Sequence, residues 1–237
     1  MTREHSPFVD LDELLRKNEP HRELGSRGES GSHHESELRE ESAARLVILV
    51  KHALPELDAA LPPREWRLGA EGEAQARRLA NRLRTELPLQ AAPLQLVSSP
   101  EPKAERTAEI VAGELGLSLE VRAGLQEFDR PALPLVSKAE HAALNETIFA
   151  EPSRRLLGRE SGAEALARFE RALSAAVADA PATHSVIAVS HGTVIALLVA
   201  AHNPIDGFEL WKRLTCPSFV VLTWPRLALL HMVDHLD

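Results

Sequence analysis

Leu46 to Val50 reads LVILV and runs straight into Lys51-His52, and Ser185 to Val189 reads SVIAV and runs into Ser190-His191-Gly192. Continuous aliphatic and β-branched runs of this length, with no polar alternation, are what strands buried on both faces require. Such strands belong to parallel sheets covered by helices. Leu94 to Val97 repeats the pattern, and Leu119 to Val121 is a short further strand.

The segments between these runs carry helical spacing. From about Glu71, residues Ala76, Leu79, Ala80, Leu83 and Leu87 form one stripe, with Arg77, Arg78, Arg82 and Arg84 off it. Ala104, Ala108, Val111 and Leu115 mark a second helix ended by Gly116, and Leu166, Phe169, Leu173 and Val177 a third. Gly192 to Ala201 continues from the SVIAV strand as another helix, and Lys138 to Phe149 reads as one in a segment broken by Pro131, Pro134 and Pro152. Phe219 to Leu222 and Leu227 to Leu230 flank Trp224-Pro225-Arg226 and read as a terminal hairpin or two edge strands. The alternation predicts an α/β fold, a three-layer α/β/α sandwich around a mostly parallel sheet.

Composition divides the chain. Residues 1–45 carry eleven acidic and seven basic side chains, and His21 to Ala44 has scarcely an aliphatic residue, so this acidic N-terminal segment is expected to be a disordered tail. Within it the His33-His34 pair reads as part of a solvated polar tract, not a metal site. Residues 46–237 are expected to form one domain. The net charge of −8 excludes the basic face of a general nucleic-acid binder. No run of about 18 apolar residues is present to span a bilayer, and the polar start has no signal-like apolar segment, so a cytoplasmic protein without membrane contact is expected. The single cysteine, Cys216, reads as a buried reduced thiol, and Trp66, Trp211 and Trp224 as packing residues.

In open parallel sheets ligands bind beyond the carboxyl ends of the strands. Here those ends carry Lys51-His52, Ser98-Ser99-Pro100 followed by Lys103, Glu127 further along, and Ser190-His191-Gly192. The ordered set VKHALPE, WRLGAEGEAQA, VSSPEPKAERTAEIVA, LQEFDR and AVSHGTVIALL, spread from about Leu46 to Leu222, resembles the histidine phosphatase superfamily, also called phosphoglycerate mutase-like. The resemblance implies a nucleophilic histidine at His52, a proton donor at Glu127 and a second histidine at His191. It implies phosphate-binding cations at Lys51 and Lys103, with His191 sharing that task, and neither cofactor nor metal.

The residue types suit that chemistry on their own terms. A neutral imidazole can attack phosphorus and split hydrolysis into two easier steps. His191, opening a helix, favours a dianion through the helix amides and, when protonated, its own charge. Lys51 and Lys103 neutralise phosphoryl oxygens as point charges. Glu127 needs a raised pKa to protonate the leaving oxygen and then takes a proton from water.

Where the family has arginine in its Arg-His-Gly triplet and in its Ser-Ser-Pro motif, this chain has Lys51 and Lys103, and Ala53 replaces the glycine. Lysine lacks the two-pronged fork of arginine, and losing one charge-assisted bond costs about 1.5–3 kcal/mol per site. Two functional alternatives therefore accompany the expected phosphomonoester hydrolase: a catalytically impaired domain that binds a phosphorylated ligand, and a mutase-type phosphotransferase. The 63 residues between Glu127 and His191 and the Lys-His-Ala-Leu-Pro opening look more like the compact phosphatases than the mutases. A small phosphorylated substrate is the expected partner; sugar, nucleotide, protein and small-acid phosphates are all compatible, and the sequence sets no oligomeric state.

Overall fold

The computed structural model describes residues 45–86, 93–129, 137–156 and 159–236. The expected tail lies outside these except for Arg45, as do Leu87 and the prolines at 131 and 134. Arg45 donates to the carbonyls of His184 at 2.8 Å and Val177 at 2.9 Å, which ties the start of the described chain to the folded body.

Strands β1 (Leu46–Lys51), β2 (Leu94–Ser98), β3 (Leu119–Val121), β4 (Ser185–Ser190), β5 (Ser218–Thr223) and β6 (Leu229–Val233) form one sheet in the order β3-β2-β4-β1-β5-β6. β1, β2, β3 and β4 run parallel, and β5 and β6 add an antiparallel ribbon beside β1. The last two strands are thus a hairpin as expected, but β5 is an interior strand paired on both sides. Leu227 belongs to the turn, with φ 53° and its amide bonded to the Thr223 carbonyl at 2.8 Å, so β6 begins at Leu229.

Helices cover both faces: α1 (Ala70–Glu86), α2 (Pro102–Leu115), α3 (Lys138–Ala150), α4 (Gly162–Asp179), α5 (Gly192–His202) and α6 (Gly207–Arg213). The pleat separates the core into two. Val47 and Leu49 of β1, Val186 and Ala188 of β4, and Val220 and Leu222 of β5 pack with Phe169, Leu173 and Val177 of α4 and with α5. Ile48, Val50, Ile187, Val189, Phe219 and Val221 point the other way onto Leu79 and Leu83 of α1 and Ala108 and Val111 of α2. Apolar residues along the length of β1 and β4 are explained by these two covered faces.

Helix ends follow local chemistry. Gly116 closes α2 in the left-handed region at φ 68°, and Ser137-Glu140 and Ser161-Glu164 form capping boxes at the starts of α3 and α4. Helix α6 was not expected from the pattern; Asp206 caps it by accepting from the Glu209 amide at 2.9 Å. Among the described residues no helix is long and apolar enough to cross a membrane.

The parallel strands finish at one edge, with Lys51 beside Ser190 and Ser98 beside both Val189 and Val121. The chain leaving β1 is strapped to α1: the Leu54 amide donates to Gln75 Oε1 at 3.0 Å, and a Cβ added at Gly72 would stand 2.2 Å from the Leu54 carbonyl oxygen. Gly72→Ala must therefore push backbone apart and should lower stability by about 1–3 kcal/mol, read as a lower urea midpoint. An unchanged midpoint would show that the 53–55 segment is not packed this way.

Candidate active site

His52 is the first residue beyond β1. Its amide donates to the Ser190 carbonyl at 3.0 Å, which extends the β1–β4 pairing by one bond and fixes the histidine backbone. The imidazole is buried, and Nδ1 lies 2.8 Å from the Ala53 carbonyl. A carbonyl only accepts, so Nδ1 carries the proton and Nε2 the lone pair. The Ala53 amide donates to Thr107 Oγ1 at 3.0 Å, and that hydroxyl donates to the Lys103 carbonyl at 2.7 Å. Among the described residues Leu227 is the non-glycine with positive φ, so alanine at position 53 carries no backbone strain.

His191 occupies the N-cap of α5, completely buried, its ring 5.1 Å from that of His52 between centroids in an edge-to-face arrangement. Its Nε2 lies 2.8 Å from Ser99 Oγ and 3.6 Å from Glu101 Oε1, while Nδ1 has no protein partner among the described residues. The structure thus brings the two histidines together, with His52 lining a cavity of about 640 Å³ and His191 behind that surface.

Lys51, Lys103 and Glu127 line the same cavity. Lys51 Nζ donates to the Leu214 carbonyl at 2.6 Å, and its tip crosses Gly192, where an added Cβ would lie 3.2 Å from Nζ. Lys103 is buried; its Nζ donates to the Pro63 carbonyl at 2.9 Å and pairs with the Glu101 carboxylate. The Glu127 carboxylate accepts from the amides of Phe128 at 2.9 Å, Thr193 at 3.2 Å and Val194 at 3.3 Å, so it sits on the positive end of α5.

Burial is the main cause of a shift in both histidines, each held well below the ordinary 6.5. For His52, His191 and the ammonium groups of Lys103 and Lys51 push the same way, against the Ala53 hydrogen bond. For His191, Lys103 adds to burial, the Glu127 carboxylate opposes it, and Arg168 and Lys51 reinforce it. Both shifts favour the neutral rings, which suits a nucleophile.

Two groups were missed from the sequence. Glu101 reaches Lys103 with Oε2, accepts the Glu127 amide on Oε1 at 2.8 Å, and approaches His191. Arg168 of α4 donates to the carbonyls of Gly124, Gln126 and Glu127 at 2.9, 3.0 and 3.1 Å and pairs with Glu160, so it holds the loop that carries Glu127. Arg168 lies off the apolar stripe of its helix, and Glu101 has nothing local to set it apart from a solvated glutamate, so neither had a usable signal. Cys216 is half-buried and lines the cavity, as do Trp66 and Trp211; Trp224 packs against the core.

The family model of the histidine phosphatase superfamily (branch 1) matches residues 47–226. The chain belongs to that superfamily. No curated protein sequence matches it significantly. A mycobacterial glucosyl-3-phosphoglycerate phosphatase bound to inorganic phosphate superposes with a TM-score of 0.62 at 21% identity, covering 82% of this chain and 98% of that one. A phosphoserine phosphatase from Entamoeba histolytica bound to phosphoserine gives 0.57 at 16%, covering 80% and 94%. The protein TTHB049 from Thermus thermophilus gives 0.58 at 27%, covering 81% and 99%. These likenesses establish the shared α/β fold of this histidine phosphatase superfamily member.

The buried neutral histidines have a measurable consequence. Below pH 6.5 the unfolded chain protonates both rings while the native one resists, so the unfolded state binds more protons. Stability is unaffected by this pair above 6.5 and falls as pH drops from 6.5 toward the depressed native values, by at most about 1.4 kcal/mol per pH unit for each ring. The difference between urea midpoints at pH 7.5 and 5.5 should be smaller in His52→Gln than in the wild type. Equal differences would show that His52 is not held neutral by the fold.

Proposed function

We propose that this superfamily member is a phosphomonoester hydrolase that works through a phosphohistidine on His52. The observation that carries the reading is the contact of His52 Nδ1 with the Ala53 carbonyl: it commits Nδ1–H there and leaves the other nitrogen its lone pair, in a residue that lines a cavity with Lys51, Lys103 and Glu127. Phosphatases among the structural relatives, bound to phosphate and to phosphoserine, support a small phosphorylated substrate.

In the first step His52 Nε2 bonds to phosphorus as the P–O ester bond breaks, and the departing alkoxide takes a proton from Glu127. In the second, water gives that proton back to Glu127 and attacks phosphorus, the P–N bond breaks, and inorganic phosphate leaves. Lys51 and Lys103 neutralise the phosphoryl oxygens. The incoming dianion raises the proton affinity of Glu127 and of His191, which serves as a further donor.

Glu101 sets a condition on this scheme. It is the internal counter-ion of Lys103, so an arriving phosphoryl group competes with a carboxylate of the protein itself. The tethering of both lysines is also the observation that favours the second reading, a domain that binds a phosphorylated ligand without turning it over.

A panel of phosphomonoesters assayed with wild type, His52→Ala and Glu127→Gln separates the two. Hydrolysis should fall to background in His52→Ala and by about 10²–10⁴-fold in Glu127→Gln. No wild-type turnover with retained phosphate binding would establish the binding module. Glu101→Gln should tighten competitive inhibition by inorganic phosphate by on the order of tenfold, the equivalent of about 1.4 kcal/mol; an unchanged inhibition constant would remove Glu101 from the phosphate site.

A further inference from the structure

The groups assigned to phosphate, Lys51, His52, Lys103 and Glu127, are a minority of the residues lining the cavity. At about 640 Å³ it is the size that encloses a drug-sized molecule, so most of it faces whatever is attached to the phosphate. Much of its wall is apolar, although Arg64, Asp129, Lys138 and Arg159 also line it. Leu57, Pro62, Pro63 and Trp66 come from the segment between β1 and α1, and Phe128 and Trp211 from the other side.

These walls are built in advance. Trp66 donates from Nε1 to the carbonyls of Asp58 at 2.9 Å and Leu61 at 3.2 Å, which closes the 58–66 segment on itself. The Lys103–Pro63 bond joins the same segment to the phosphate-handling cluster. Trp211 is stacked on Phe208 with centroids 5.8 Å apart and an interplanar angle of 11°, and meets His141 edge-on at 5.3 Å. An indole held on one face by stacking and on an edge by imidazole is a rigid apolar surface that costs little entropy to use.

Three of the arginines around this compartment are paired, and Lys138 adds a further cation to its lining. Arg64 lies 3.6 Å from Glu65, Arg159 3.5 Å from Asp129, and Arg168 2.6 Å from Glu160. Leu57, which lines the cavity, is 59% exposed, an apolar rim of the kind that marks a binding surface.

We infer that this compartment takes the leaving group of the phosphomonoester and that the group is large and mainly apolar, a polycyclic or extended hydrophobic alcohol. The inference rests on the phosphatase reading but is tested separately from it. A short polar leaving group leaves the aromatic walls unused.

Phenyl and 2-naphthyl phosphate have leaving groups of similar acidity and differ chiefly in apolar area. The 2-naphthyl ester should have at least a tenfold higher kcat/KM, within the range that one added apolar group supplies in a fitted pocket. Leu57→Asp, on an exposed position that tolerates charge, and Trp211→Ala should both drive that ratio toward one. Binding of the two esters to His52→Ala by calorimetry gives the same comparison without turnover, so a catalytically silent protein still reports on the compartment. Preference for phosphoserine or 3-phosphoglycerate over the 2-naphthyl ester, or a ratio unmoved in both variants, would overturn the inference.

Discussion

The parallel pairing of β1 with β4 is the constraint from which the site follows. In that register Lys51 stands opposite Ser190, and the bond from the His52 amide to the Ser190 carbonyl carries the pairing one residue past the strand. Both histidines therefore leave the sheet at one level and meet 5.1 Å apart. A slip of one residue would exchange the faces of Val47, Leu49 and their neighbours, moving them from the α4–α5 core to the α1–α2 core. The apolar surfaces on both sides make that slip costly, and the fold thereby protects the spacing of the two rings.

Around the rings, charge is balanced inside the protein. Burial, reinforced by two nearby ammonium groups, holds both imidazoles below their ordinary range, and each ammonium is itself satisfied, Lys51 by the Leu214 carbonyl and Lys103 by Glu101 and the Pro63 carbonyl. Glu127 rests on the first amides of α5, with Arg168 holding its loop from behind. The site stores its cations on internal acceptors. On the proposed reading a phosphoryl dianion exchanges with those acceptors, and Glu101 then bears on its affinity together with the lysines.

What could be read from the chain and what could not have a common physical cause. LVILV and SVIAV announce doubly buried strands because a two-sided core demands apolar residues along their whole length, and the stripes of α1, α2 and α4 announce themselves because each helix buries one face. His52, Glu127 and His191 were legible through their places after strands and through the family likeness. Glu101 was not, because its burial depends on the distant 58–66 segment folding over Lys103, and nothing local distinguishes it from a solvated glutamate. Arg168 was hidden for the same reason, its partners being carbonyls some forty residues away. Helix α6 is seven residues long, too short for a periodic stripe, and with it went the placement of Trp211 on the cavity wall.

The whole account turns on His52 accepting a phosphoryl group at the nitrogen left free by the Ala53 bond. Protein mixed with a turning-over phosphomonoester, quenched within the first turnovers in alkali and mapped by mass spectrometry with phosphorus NMR, addresses this directly. The account predicts one acid-labile, alkali-stable phosphoryl group on Nε2 of His52. Hydrolysis with no adduct, or an adduct on any other residue, would contradict it.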